Sequence, residues 1–115
     1  MSNFRELKVW QKSMELSVAV YRATESLPDR EKYGLTSQMR RAAVSIASNI
    51  AEGAGRGSNP DFRRFLDIAK GSAFELETQL LISKKLSFIN KETANKLQHE
   101  IVEIQKMISG LHRTL

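Results

Sequence analysis

Cysteine is absent from the 115 residues, so disulfides, thiolate metal centres and cysteine nucleophiles are excluded. Proline occurs twice and glycine six times, too little punctuation for a chain of many short strands. Aromatic residues make up 7% of the chain, which leaves few rings for stacking on bases. Long apolar runs are also missing. The longest, such as Val18 to Tyr21 and Leu80 to Ile82, are a few residues each, whereas a membrane span needs about 20. The N-terminus MSNFRELKVWQKSMEL is charged and amphipathic and has no apolar signal-peptide core. These features predict a cytoplasmic protein with no membrane partner.

What remains is globular in character. Hydrophobic residues make up 41% and charged residues 27%. Eighteen Lys and Arg face thirteen Asp and Glu, giving a net charge of +5. The length suits one domain over residues 1–115.

Apolar periodicity predicts four helices. The first runs from about Arg5 to Leu27, with Leu7, Trp10, Met14, Ser17 and Tyr21 on one face and Val9, Leu16, Val20, Ala23 and Leu27 widening it. Pro28 forces its end, because the residue before proline is pushed out of helical geometry. Thr36 or Ser37 is the expected N-cap of the second helix, which buries Leu35, Met39, Ala42, Ala43, Ile46 and Ile50 and ends near Ala54. The stretch Gly53-Ala54-Gly55-Arg56-Gly57 supplies glycine for a left-handed helix end. Ser58 or Asn59 then caps the third helix, with Pro60 in its first turn. That helix carries Phe62, Phe65, Leu66, Ala69, Ala73, Leu76 and Leu80, and Gly71-Ser72 at its middle predicts tight contact with a neighbour. After a break over Lys84 to Ile89, Asn90 caps the fourth helix. Its Ala94, Leu97, Ile101, Ile104, Ile108, Leu111 and Leu115 step alternately by three and four. The expected fold is all-α, an up-down-up-down antiparallel four-helix bundle. Helix one is apolar on more than one stripe, and Val44, Ala47 and Ala51 lie off the main face of helix two; this excess predicts burial against another copy.

No catalytic set is visible. The Gly-rich GAGRGSN follows a helix rather than a strand and lacks the phosphate-loop lysine. His99 and His112 are 13 positions apart with no ligand set around them, so no metal and no cofactor is expected. Ser45, Asn49 and Glu52 form a polar ridge read as a structural network; a hydrolase built on Glu52 and Asn49 would need a concave pocket around a shifted carboxylate.

Basic residues are the remaining signal. In an alternating bundle Arg5, Lys8, Arg56, Arg63, Arg64, Lys106 and Arg113 gather at one end. Arg40, Arg41, Lys84 and Lys85 form a second set, with Arg40 or Arg41 expected to pair with Glu52 or Glu75. Such clusters bind nucleic-acid backbone through phosphates and with steep salt dependence. The alternative is a protein-interaction module whose basic face docks an acidic partner protein.

Several stretches resemble a known family: Phe4 with Leu7-Lys8-Val9-Trp10, Glu31 to Gln38, Arg40 to Gly53, and Ala69-Lys70-Gly71-Ser72 with Glu75-Leu76-Glu77. They are similar to the four-helix-bundle proteins encoded in intervening sequences of bacterial 23S ribosomal RNA genes. The resemblance covers about residues 4 to 88, with helix four agreeing in general character. It implies a ring-like homopentamer without enzymatic activity. Through the related accessory variability determinant of diversity-generating retroelements, it also implies work on RNA or DNA beside a nucleic-acid-processing protein. It marks Arg40, Arg41, Asn49, Glu52, Gly71, Ser72 and Glu75 as signature positions.

Overall fold

The first predicted helix is divided in three. In the computed structural model, which describes residues 3–115, Asn3 accepts a hydrogen bond from the Arg5 N–H and opens a single 3-10 turn over Phe4–Glu6. Leu7 is extended (φ −71°, ψ 122°), and α1 proper spans Lys8–Ala23. Thr24 then turns its hydroxyl onto the Val20 and Tyr21 carbonyls, a 3-10 turn covers Thr24–Ser26, and Leu27 is extended before Pro28. The face also differs from expectation. Val9, Ser13, Leu16 and Val20 are the buried stripe of α1, while Met14 and Tyr21 are exposed. Ser13 can occupy the core because its hydroxyl donates to the Val9 carbonyl 2.7 Å away, so no polar group is left unsatisfied.

Helix α2 spans Leu35–Ala54 and begins before the hydroxyls expected to cap it. Glu31 Oε1 accepts from the Leu35 N–H at 3.1 Å, and Thr36 is buried instead. Met39, Ala42, Ala43, Ile46 and Ile50 face the core as predicted. Gly55 is right-handed (φ −84°); the left-handed residue of this corner is Gly57 (φ 85°). Ser58 caps α3, which spans Asn59–Lys85, by accepting from the Asp61 N–H. All seven predicted apolar positions of α3 are buried. Gly71 is not a tight contact: a Cβ built there meets nothing within 4 Å. The close approach lies at Gly53 instead. Asn90 accepts from the Thr93 N–H at 2.8 Å and starts α4, Lys91–Arg113. Ala94, Leu97, Ile101, Ile104 and Ile108 are buried there, with Leu111 and Leu115 half-buried.

The helices pack in a square. Each packs against its sequence neighbours, and α4 closes on α1. Every seam is antiparallel. Arg40 near the start of α2 reaches Thr24, just past the end of α1. Met39 meets Ser83 from the far end of α3, and Asp67 near the start of α3 meets His112 in the last turn of α4. The bundle measures 43 × 24 × 19 Å. Its centre is held by Ile46, Ile50, Leu66, Leu76, Leu80, Ile101 and Ile104, each at most 1% exposed. Burying each such side chain contributes about 1.5–3 kcal/mol.

Candidate nucleic-acid interface

At the α2–α3 corner, Gly57 lets the backbone reverse over the four residues 55–58, which brings Arg56, just past the end of α2, close to Arg64 in the second turn of α3. Both guanidinium groups lie over the ring of Phe65, at 5.0 Å for Arg56 and 4.6 Å for Arg64. Phe65 is 8% exposed, sits against Gly53 of α2, and offers its ring as a post for two like charges. Each such contact is worth about 0.5–1 kcal/mol at an exposed site. Glu52 approaches Arg56 at 3.5 Å and Asp61 approaches Arg64 at 4.0 Å. All four side chains are roughly half exposed, and ion pairs of this kind contribute little. The result is a pair of planar cations gathered on one ring and open to solvent.

The other predicted members of this end are less uniform. Arg5 is exposed, stacks 4.4 Å over the Phe4 ring and donates to Asn3 Oδ1. Lys8 is exposed at the start of α1. Arg63 is committed elsewhere, because its Nη1 donates to the Leu115 carbonyl at 2.7 Å and ties the end of α4 to α3. Arg113 is exposed, and beside it His112 Nε2 lies 3.2 Å from Asp67.

The second set, Arg40, Arg41, Lys84 and Lys85, lies at the opposite end, where α2 starts and α3 finishes. The expected arginine–carboxylate pair is replaced by another arrangement. Arg40 donates from Nε to Thr24 Oγ1 (2.9 Å) and from Nη2 to the Tyr21 carbonyl (3.1 Å), with its guanidinium 4.7 Å over the Tyr21 ring. The 3-10 turn after α1 presents those acceptors, so a carboxylate is not needed. Lys84 donates to Asn95 Oδ1 at 2.8 Å. Arg41 and Lys85 are exposed and make no ion pair among the described residues.

The polar ridge of α2 is structural. Asn49 Nδ2 donates to the Ser45 carbonyl (2.8 Å) and to Ser45 Oγ (3.0 Å), and the Ser45 and Ser72 hydroxyls meet at 2.9 Å. Glu52 stands outside that network, on Arg56. Among the described residues, no cluster of three or more potential ligands could hold a metal ion. The ion pair with resolved pKa shifts lies away from the basic ends, on the α1–α4 seam. There Lys12 Nζ and Glu103 Oε1 are 3.0 Å apart. Their mutual hydrogen bond, then their opposite charges, raise the Lys12 pKa and lower that of Glu103.

Sequence reasoning missed the posts beneath the arginines. Phe65 reads as a core residue and Tyr21 as part of a buried stripe; the adjacent pair Arg64-Phe65 was the one available signal, since Arg56 and Arg40 stand 9 and 19 positions from their rings.

Comparison with known proteins agrees with this architecture. The family described as 23S rRNA-intervening sequence protein matches residues 5–110, well into α4. A crystal structure at 1.70 Å resolution, of a protein with unknown function from the S23 ribosomal protein family of Bacteroides thetaiotaomicron, superposes with a TM-score of 0.84. It is 27% identical, and the match covers 90% of this chain and 97% of that one. No curated protein matches the chain. No helix among the described residues is long and apolar enough to cross a membrane.

Proposed function

The chain belongs to the 23S rRNA-intervening sequence protein family, and on that premise we propose that it is a cytoplasmic, non-enzymatic homo-oligomer, a pentamer, that binds RNA or DNA through backbone phosphates. It acts as a scaffold or accessory factor beside a nucleic-acid-processing protein. The observation that carries this reading is the Arg56–Phe65–Arg64 stack. Guanidinium groups recognise phosphate oxygens through paired N–H donors, and holding two of them on one ring lowers the entropy lost on binding. Arg5 and Lys8 extend the charge at the same end. Assembly into a ring would repeat the patch and raise avidity. The exposed Met14, Val18, Tyr21 and Val44 support self-association.

Fluorescence anisotropy with a structured RNA and a duplex DNA, measured across a salt series, tests the reading. Wild-type affinity falls steeply with salt. The double variant Arg56→Ala, Arg64→Ala binds more weakly, and its salt slope is shallower by roughly 2. Unchanged affinity and slope would overturn the assignment.

One observation favours a second reading, a module that docks an acidic partner protein: the intramolecular partners of Arg56 and Arg64 are already carboxylates, Glu52 and Asp61. Absorbance of the purified protein at 260 and 280 nm separates the two, since only the first predicts copurifying nucleic acid.

A further inference from the structure

Two features of the outer surface have no occupant within the described chain. One is a ridge. Met14, Val18 and Tyr21 follow at helical spacing along α1 and are 44%, 49% and 45% exposed. Val44 joins them across the seam where Ser17 Oγ approaches the Ala43 carbonyl. Arg40 stacks on the Tyr21 ring and steadies it.

The other is a groove of about 400 Å³ between α2 and α3, lined by Gln38, Arg41, Ser45, Glu75 and Gln79. Next to it the surface is floored by small residues. Ser45 and Ser72 touch, and the position beside Ser72 is Gly71, above which there is open space. A glycine in mid-helix costs about 1 kcal/mol relative to alanine, and no contact inside the chain requires it there. Gln79 is 8% exposed, yet its Oε1 has no hydrogen-bond partner among the described residues. A buried acceptor left in that state is unfavourable. Among the described residues neither Arg41 nor Glu75 is ion-paired.

We propose that this groove seats the ridge of a second copy of the chain, with the partner's Tyr21 hydroxyl donating to Gln79 Oε1 once the amide turns toward it. The proposal rests on the homo-oligomer reading above and assigns its two faces. Chemistry and register both select a copy of the chain. The ridge is apolar with one hydroxyl donor; the groove is polar, with Ala42 and Ser45 as its small residues and one unsatisfied acceptor, and it borders the open surface at Gly71. Ridge and groove also lie at matching heights along the bundle. Tyr21 is level with Arg40, and Gln79 lines the groove with Gln38 and Ala42. Val18 and Val44 flank the level of Ala43, and Ser72 is level with Ser45. A rotation about an axis parallel to the helices therefore brings ridge onto groove without sliding. Because the two surfaces differ, the contact is head-to-tail, which is the kind that closes rings.

The experiment is complementation by two assembly-deficient variants, read by light scattering. Gly71→Glu obstructs the open surface beside the groove and leaves the ridge; Val18→Glu spoils the ridge and leaves the groove. Both positions face open space, and circular dichroism checks that each variant folds. Each alone is expected to be monomeric, whereas a one-to-one mixture forms a heterodimer of twice the monomer mass. The two substitutions carry the same charge, so no new ion pair can produce that result. Tyr21→Phe is expected to weaken wild-type assembly about tenfold, and to have no further effect once Gln79 is replaced by leucine. Gly71→Glu that keeps the wild-type mass, or two monomeric variants that stay monomeric when mixed, overturns the pairing and leaves the homo-oligomer standing. A monomeric wild type overturns both.

Discussion

Gly53 of α2 and Phe65 of α3 pack so closely that a Cβ on the glycine would lie 2.7 Å from Cβ of the phenylalanine and 3.0 Å from Phe62 Cδ1. The first neighbour is fixed to the backbone and cannot swing away. Gly53→Ala therefore separates the two helices locally, at a cost of about 1–3 kcal/mol that outweighs the gain in helix propensity. Gly71→Ala meets no atom and gains propensity, so it stabilises the subunit by up to about 1 kcal/mol. Thermal melts at several protein concentrations check both signs and separate them from any effect of assembly.

Arg63 and Arg64 are adjacent in sequence but differ in role. Arg63→Ala releases the Leu115 carbonyl and lowers stability by about 1 kcal/mol, while nucleic-acid affinity stays within about twofold. Arg64→Ala leaves the melting temperature nearly unchanged and weakens binding about three- to tenfold. Paired melting and anisotropy measurements on the two single variants expose the split; equal effects on both would remove it.

Glu77 holds two amides of α4: Gln105 Nε2 donates to Oε1 at 2.8 Å and Gln98 Nε2 to Oε2 at 3.2 Å. Gln105 is buried, so Glu77→Ala strands its donors and destabilises the α3–α4 seam by about 1–3 kcal/mol. Adding Gln105→Leu to that variant recovers part of the loss, as chemical denaturation would show.

The Lys12–Glu103 pair sets a sign for pH dependence. Glu103 has a folded pKa below its unfolded value, so its contribution is present above the carboxylate range and is lost as pH falls through the folded pKa. Lys12 has a raised pKa, so its share is present below the unfolded lysine pKa and is lost as pH rises through the folded one. The gap in melting temperature between wild type and Glu103→Gln is small because the pair is exposed. It closes as the pH is lowered through the carboxylate range, and added salt shrinks it at neutral pH. A gap that widens in acid would contradict the pairing.

The helical architecture was legible because α3 and α4 carry clean periodicity bounded by side-chain caps, Ser58 and Asn90. The buried face of α1 was not. Its two stripes are similarly apolar, and the choice went to the one containing Ser13, a serine that satisfies its own hydroxyl on the Val9 carbonyl. Hydropathy alone ranks that position as polar. The cap of α2 was hidden for a similar reason, since Glu31 supplies its acceptor from outside the helix. At the basic ends, the types of residue were plain but their commitments were not. Whether Arg40 or Arg63 is engaged depends on carbonyls 19 and 52 positions away, which only the fold brings near.

The square arrangement also orders the events of folding. Three of the four seams join helices that follow one another in the chain, and each can close over a short turn at little entropic cost. The α1–α4 seam must instead span most of the chain; Lys12 of α1 meets Glu103 of α4 across 91 positions. Its ion pair, Lys12 with Glu103, lies in solvent rather than in the core. We expect that seam to form last and to open first, so that backbone amides along α1 and α4 exchange with solvent faster than those of α2 and α3.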